Sequence, residues 1–508
     1  MGQEAADRTP LRTGMGFAAS SFAVNAVVQL LSSVLTARLY GVDTIGEYAL
    51  VTAPWLTLIQ FSNVSEQIAL VRELSVVPAR DVRVGRLFFP VLGLSTALTS
   101  VVGAIVMLLS AAALRGPIDQ PDLVAPALTV LVAYVLIENV SWNLDSIFSA
   151  FRAARDLLLA RLTQVVSFLV LAVALRAVSP SVWSLAVATI ASFALAFAVR
   201  AVRVRAYLAA TPWREVRAGV HELPRLLKFA ARLVPGSIAN GLSSQAATWL
   251  LGALTDVRTV GAYSRAAGVA IRIQEAGFRL SEVVFPAMVE RRHLDDRGGM
   301  RDDLRLALRG AALPLLLLSA VGGGAAEGAL RVFGEGFDDA ADAFALLLLA
   351  YSLSVLSLMV GDAILALDRP SLATGLVIVR SVVIVGLMVP MTSWFEGTGA
   401  AAAFCAGFVL DIGMRFVFAR RAVFGGALGD VGRTLAVAVV AGIPAFAVAR
   451  VLDRALVWPL GALGGGALGV AVYVAVVVAL RGISAEERAR VLRRGRAHAA
   501  AAPTPPPS

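Results

Sequence analysis

Apolar stretches of about twenty residues recur along this chain from Gly14 to Leu480, and no other feature limits its fold so strongly. A helix of roughly 20 residues is what crosses a hydrocarbon core of about 30 Å. The expected spans are Gly14 to Ala37, Tyr48 to Val71, Leu87 to Leu109, Val124 to Asn143, Leu157 to Leu175, Val182 to Val199 and Phe229 to Leu251. They continue with Ala262 to Val289, Ala311 to Leu330, Phe344 to Leu367, Leu372 to Met391, Thr398 to Phe418, Thr434 to Leu452 and Val457 to Leu480. No long soluble domain fits between them. Only 16% of the 508 residues are charged, whereas soluble domains carry about a quarter. The fold class is therefore an all-α integral membrane protein of about fourteen transmembrane helices. The first run exceeds a signal peptide's core and lacks an A-x-A-like end, so it reads as a retained span.

The basic residues fix an orientation. With a cytoplasmic N-terminus, 34 of the 45 Lys and Arg residues fall on inside segments, seven on outside segments and four within spans. That bias places both termini in the cytoplasm, and a miscounted helix would invert every later loop. The net charge of +10 thus reflects topology and contact with anionic lipid, and nucleic acid is not an expected partner.

The two halves repeat. Ala37 to Tyr48 aligns with Gly252 to Tyr263 at an offset of 215, matching Leu39 with Leu254, Val42 with Val257, Thr44 with Thr259, Gly46 with Gly261 and Tyr48 with Tyr263. The same offset pairs Asn25 with Asn240. A second anchor, at 217, matches Asp145-x-Ile147 and Arg152 with Asp362-x-Ile364 and Arg369. Six spans separate the copies, so the repeat is parallel, and transporter folds are commonly built this way. The expected organisation is a cytoplasmic tail (1–13), an N-lobe (14–199), a cytoplasmic connector (200–228) and a C-lobe (229–418). Two further helices (434–480) and a basic, then disordered, cytoplasmic tail (481–508) complete it.

Polar side chains within spans are costly, so their positions are informative. Ser21, Asn25, Gln29, Ser32 and Thr36 form a stripe on the first span, and Asn240, Ser244 and Thr248 form one on the seventh. Gln60, Asn63 and Gln67 lie on the second, with Glu66 beside them. Such stripes serve either helix-to-helix hydrogen bonding or a shared cavity. Arg265, Arg272 and Arg279 stand at spacing seven on the eighth span, and three such residues facing lipid would cost roughly 8 to 10 kcal/mol. Glu275 and Glu282 lie on an adjoining strip, so local pairs at helical spacing neutralise two of the arginines and leave one over, and Arg380 in the eleventh span adds another cation. A cationic substrate path and a purely structural ion-pair set both fit. Guanidinium groups suit a pyrophosphate or an acidic sugar. Glu138, Asp145, Asp362 and Asp411 lie in the inner halves of their spans, where acids pair with loop arginines, close a gate or take up a proton.

Other chemistries lack their residues. The single lysine, Lys228, precedes Phe229, so there is no P-loop, and no H-E-x-x-H or nucleophile elbow occurs. Cys405 has no partner, and His221, His293 and His498 are scattered, so neither a metal nor another cofactor is expected. Asp119, Asp122 and Asp338 in short outer loops are the residues a membrane glycosyltransferase would have to use.

Ala37-Arg38-Leu39-Tyr40-Gly41 with Gly46-Glu47-Tyr48-Ala49, and Leu250-Leu251-Gly252 with Val260-Gly261-Ala262-Tyr263, resemble the multidrug, oligosaccharidyl-lipid and polysaccharide exporter superfamily. Within it the chain is most similar to bacterial polysaccharide or O-antigen-type flippases, and Pro235 and Pro286 also fit. The resemblance implies two lobes around a cation-lined cavity in the plasma (inner) membrane. It also implies alternating access that moves an undecaprenyl-diphosphate-linked oligosaccharide outward, with membrane lipids and a polysaccharide polymerase or glycosyltransferases as partners. Ala247 stands where an acid is often found, and the first span lacks the carboxylate that drug exporters of the superfamily commonly use. A lipid II flippase, a drug or cation antiporter, and a membrane glycosyltransferase or scaffold are the alternative readings.

Overall fold

The computed structural model describes residues 11–62, 70–71, 73–74, 77–151, 153–224, 234–423 and 429–480. Asn63 and Glu66 lie outside the described residues. Every long element is a helix. α1 (Leu11–Ser62) is followed by α2 (Val82–Arg115), α3 (Pro121–Ala150), α4 (Ala154–Arg176), α5 (Val182–Arg203) and the short α6 (Trp213–Val220). The second half holds α7 (Val234–Leu254), α8 (Val257–His293), α9 (Arg297–Gly324), α10 (Ala341–Ala366) and α11 (Pro370–Ala422). α12 (Gly429–Ala455) and α13 (Leu460–Ala479) end the described chain.

Among the described residues nine helices are long and apolar enough to cross a membrane. The other expected spans fall on α1, α7 and α8, which carry the polar stripes and the arginines. The count of fourteen stays an expectation from the sequence. Two expected pairs of spans are joined more tightly than the sequence suggests. α1 turns at Gly41, whose φ of 80° is accessible to glycine without a Cβ penalty, and α11 breaks at Glu396 (φ 49°, ψ −130°). A Cβ on Gly399 would strike the carbonyl of Met391, so the two limbs of α11 pack closely beside that break.

α1 packs on α2, α3, α4 and α5, while α7, α8, α9, α10 and α11 pack together. α12 lies on α9 and α13, and α1 bridges the two groups by packing on α7 and α8. The bridge is reciprocal at one end. A Cβ on Gly46 would collide with the carbonyl of Val257, and one on Gly261 would collide with the carbonyl of Val42. Gly46 and Gly261 are 215 residues apart, as are Val42 and Val257, so the repeat partners cross each other as in a two-fold interface.

The same offset appears at helix starts. Asp81 caps α2 by accepting from Arg83 N at 2.8 Å, and Asp296 caps α9 by accepting from Gly299 N at 2.8 Å. The residues before them, Arg80 (φ 60°) and Asp295 (φ 52°), share the left-handed region. The Arg83 side-chain hydrogen bond holds the Asp81 carboxyl below its usual range, and the Gly299 amide does the same for Asp296.

A two-cavity site divided by α8

Arg265, Arg272 and Arg279 drift only slightly around α8, because seven residues are nearly two helical turns. That edge faces a cavity of about 1580 Å³. The far side of α8, with Ser264, Gln274 and Phe278, faces a second cavity of about 920 Å³. Tyr48, Arg265, Phe278 and Asp362 border both.

The polar stripes divide between these spaces. Asn25 and Gln29 line the larger cavity, whereas Gln60, Asn240 and Ser244 line the smaller. Instead of one shared wall, the repeated asparagines serve one compartment each. α1 itself borders both: its first limb, with Asn25 and Gln29, lines the larger cavity, and its second limb, with Thr52 and Gln60, lines the smaller one beside α7.

The arginines also separate. Arg265 donates from Nη1 to Ser33 Oγ at 2.9 Å, reaching from α8 to α1. Arg272 binds both oxygens of Glu275 at 2.9 and 2.8 Å and is about one-third exposed, so it meets the cavity already paired. Arg279 lines the larger cavity below it. Arg380, expected to join them, lies in the smaller cavity. It donates to Asn240 Oδ1 at 2.6 Å, stands 3.6 Å from Asp411 and covers the Phe408 ring at 4.7 Å.

The acids have distinct surroundings. Asp145 on α3 receives Arg200 Nε at 2.8 Å and Nη2 at 3.2 Å. Asp411 is fully buried, holds Arg415 Nε at 3.0 Å from both oxygens and accepts from Ser357. Asp362 accepts from the Ser281 hydroxyl at 2.5 Å. Glu138 ends a π-helical turn, Tyr134–Glu138, and its Oε1 accepts from Trp142 Nε1 and Gln164 Nε2, both at 3.1 Å. π-turns of this kind often mark functional positions.

Two cavity residues were missed by sequence reasoning. Arg161 and Arg200 count as cytoplasmic by charge bias, yet both line the larger cavity, and Arg200 is only 2% exposed. A signal for Arg200 existed: Arg415 stands 215 residues later, the offset of the first repeat anchor. Arg161 has no such partner, and only packing reveals it. With it, five arginines (161, 200, 265, 272 and 279) and four carboxylates (138, 145, 275 and 362) line the larger cavity among the described residues. Bidentate guanidinium groups in a low-dielectric cleft are suited to phosphate oxygens. The volume exceeds the range of about 300–1,000 Å³ typical of small-molecule pockets, which leaves room for a large headgroup. No group of three His, Cys, Asp or Glu side chains among the described residues could hold a metal ion.

The family model described as polysaccharide biosynthesis protein matches residues 11–291, more than half of the chain. No curated protein matches the sequence. The structure is similar to that of the lipid II flippase MurJ in an inward closed conformation, with 12% identity and a TM-score of 0.66 over 91% of this chain and 98% of that one. It is also similar to an inward-facing multidrug resistance MATE family transporter of the MOP superfamily, with 15% identity and a TM-score of 0.58 over 82% of this chain and 96% of that one. An outward-facing MATE family transporter matches with 15% identity and a TM-score of 0.56 over 84% and 98% of the two chains. Identities this low speak to the fold. The chain is a multi-pass helical membrane protein that belongs to the polysaccharide biosynthesis protein family, with a fold similar to those of MurJ and the MATE family transporters.

Proposed function

We propose that this protein moves an undecaprenyl-diphosphate-linked oligosaccharide across the plasma (inner) membrane by alternating access, for cell-surface polysaccharide synthesis. The observation that carries this reading is the arginine-lined cavity at the junction of the two helix groups. Arg161, Arg265, Arg272 and Arg279 hold the diphosphate, and the neutral wall of Asn25, Gln29 and Gln164 faces the glycan. In this reading fourteen spans form two parallel six-helix lobes plus two C-terminal helices, with both termini cytoplasmic. The reciprocal crossing of Gly46 and Gly261 then closes the outer end, and the cavity opens inward. The protein binds and moves its substrate and performs no covalent chemistry on it. A polymerase or glycosyltransferases work beside it on the same lipid-linked glycan.

The test is surface-glycan export in cells carrying Arg272→Ala together with Arg279→Ala. Export should fall at least about tenfold at equal protein level, because two charge-assisted contacts of about 1.5–3 kcal/mol each are removed. Unchanged export would refute the cationic path. Depletion of the protein separates substrates: loss of one surface polymer supports a glycan flippase, and arrest of peptidoglycan synthesis points to lipid II instead.

A further inference from the structure

Glu138 differs from Asp145 and Glu275, the arginine-paired acids of the larger cavity, and from Asp362, which accepts from the Ser281 hydroxyl. Asp145 is held by Arg200 and Glu275 by Arg272, each through two hydrogen bonds. Glu138 is 2% exposed and has no cation within ion-pair distance among the described residues. Its Oε1 is satisfied by two neutral donors, an indole and an amide. Its Oε2 is buried and accepts nothing. A bare carboxylate oxygen away from water is expensive, and protonation removes the charge at the smaller cost of one unsatisfied hydroxyl.

The remaining charges set what that proton does. On its own helix Glu138 has Asp145, on α4 Arg161, on α5 Arg200 and on α1 the phenol of Tyr48. α8 contributes Arg265, Arg272, Glu275 and Arg279, and α10 contributes Asp362. Five guanidinium groups against four carboxylates leave one net positive charge with Glu138 ionised and two with it neutral. A diphosphate diester carries two negative charges, so the protonated cavity is the one that balances it. An anion placed here also disfavours ionised Glu138 through like-charge repulsion.

We propose that Glu138 is a proton-binding site, and that its proton and an anionic ligand in the arginine-lined cavity strengthen each other's binding. The proton comes from cavity water and returns to water when the ligand leaves. The linkage, but not the proton site itself, rests on the reading of the cavity as a diphosphate site. Reciprocity is required: whatever factor the proton adds to anion affinity, the anion adds to proton affinity.

The experiment uses the full chain in nanodiscs, as wild type and as Glu138→Gln, an isostere that keeps the acceptor for Trp142 and Gln164. Infrared spectra of ligand-free protein titrated with pH should show a carboxylic-acid C=O band that the variant lacks. If no band distinguishes the two, the proton site is overturned. Glu138→Asp should move the band, which guards against loss by misfolding. Calorimetry with an undecaprenyl-diphosphate-linked monosaccharide, a diphosphate diester, in two buffers of different ionisation enthalpy and at a pH above the midpoint of that band, then reads the linkage. Wild type should take up about one more proton per bound lipid than Glu138→Gln, and its affinity should fall by up to roughly tenfold per pH unit relative to the variant. Equal uptake in both overturns the linkage and leaves the anion site standing. Failure of the lipid to bind wild type overturns the substrate reading and the linkage together, and the spectra alone then decide the proton site.

Discussion

The two halves carry the same buried pair in sequence and use it differently in space. In the first half Asp145 of α3 meets Arg200 of α5. The repeat equivalents in the second half are Asp362 of α10 and Arg415 of α11, and they do not form an ion pair. Arg415 packs its Nη1 against Gly361 but gives its hydrogen bonds to Asp411, four residues earlier on its own helix. Asp411 also draws Arg380, and Asp362 is left with the Ser281 hydroxyl. At the offset of 215 the first half has Ala196 and Val165 in place of Asp411 and Arg380. One added acid and one added base therefore redirect an inherited pair. The difference teaches that a repeat preserves the backbone while two substitutions reassign its charges.

Making the second half resemble the first is the strongest way to break this contrast. Asp411→Ala leaves two buried guanidinium groups without their carboxylate and should cost about 3–5 kcal/mol, read as a drop in unfolding temperature in detergent. Adding Arg380→Val, which restores the first half's pattern, should recover roughly 1–3 kcal/mol, since residues in one network couple by that amount. If the double variant is no more stable than the single one, Arg380 does not depend on Asp411.

The reciprocal glycines test where the halves remain alike. Gly46→Val and Gly261→Val should each force the crossing apart, at about 1–3 kcal/mol for overpacking. In the proposed topology either change exposes Thr36→Cys, in a Cys405→Ser background, to a membrane-impermeant thiol reagent added outside. Labelling that rises with only one of the two variants would show that the crossing is not symmetric.

The helix caps give the smallest expected effect. Asp81→Ala should lower stability by about 1 kcal/mol, and Asp296→Ala should act with the same sign. Both carboxyls sit below their usual range in the folded protein, so their contribution is present above the ordinary Asp value of about 3.9 and is lost as pH falls through the folded value. An acid unfolding profile of each variant should therefore converge with wild type at low pH. A gap that persists there would assign the caps' effect to shape instead of charge.

Much of the fold was legible before any coordinates, and the reasons are local. A span is announced by its own residues, and the arginine bias behind the expected orientation is likewise a property of single loops. The repeat was legible from short anchors such as Gly46-Glu47-Tyr48 and Gly261-Ala262-Tyr263, although the matched caps at Asp81 and Asp296 show that more was present than those anchors used. The site was legible in part. Helical spacing put Arg265, Arg272 and Arg279 on one edge, and the pairing of Arg272 with Glu275 followed from that spacing. Spacing could not say that Arg380 faces a different cavity, because that depends on how α11 packs against α7.

By itself the sequence determined a helical membrane chain, its orientation bias and its doubled plan, since hydropathy, charge and periodicity are properties of neighbouring residues. Only the tertiary structure decided which charge answers which. Arg200 reaches an acid 55 residues away, Asp362 loses its arginine to a closer competitor, and Glu138 keeps a buried oxygen with no donor. Those outcomes turn on a few ångströms between helices distant in the chain, where the low dielectric makes each pairing, or its absence, energetically large.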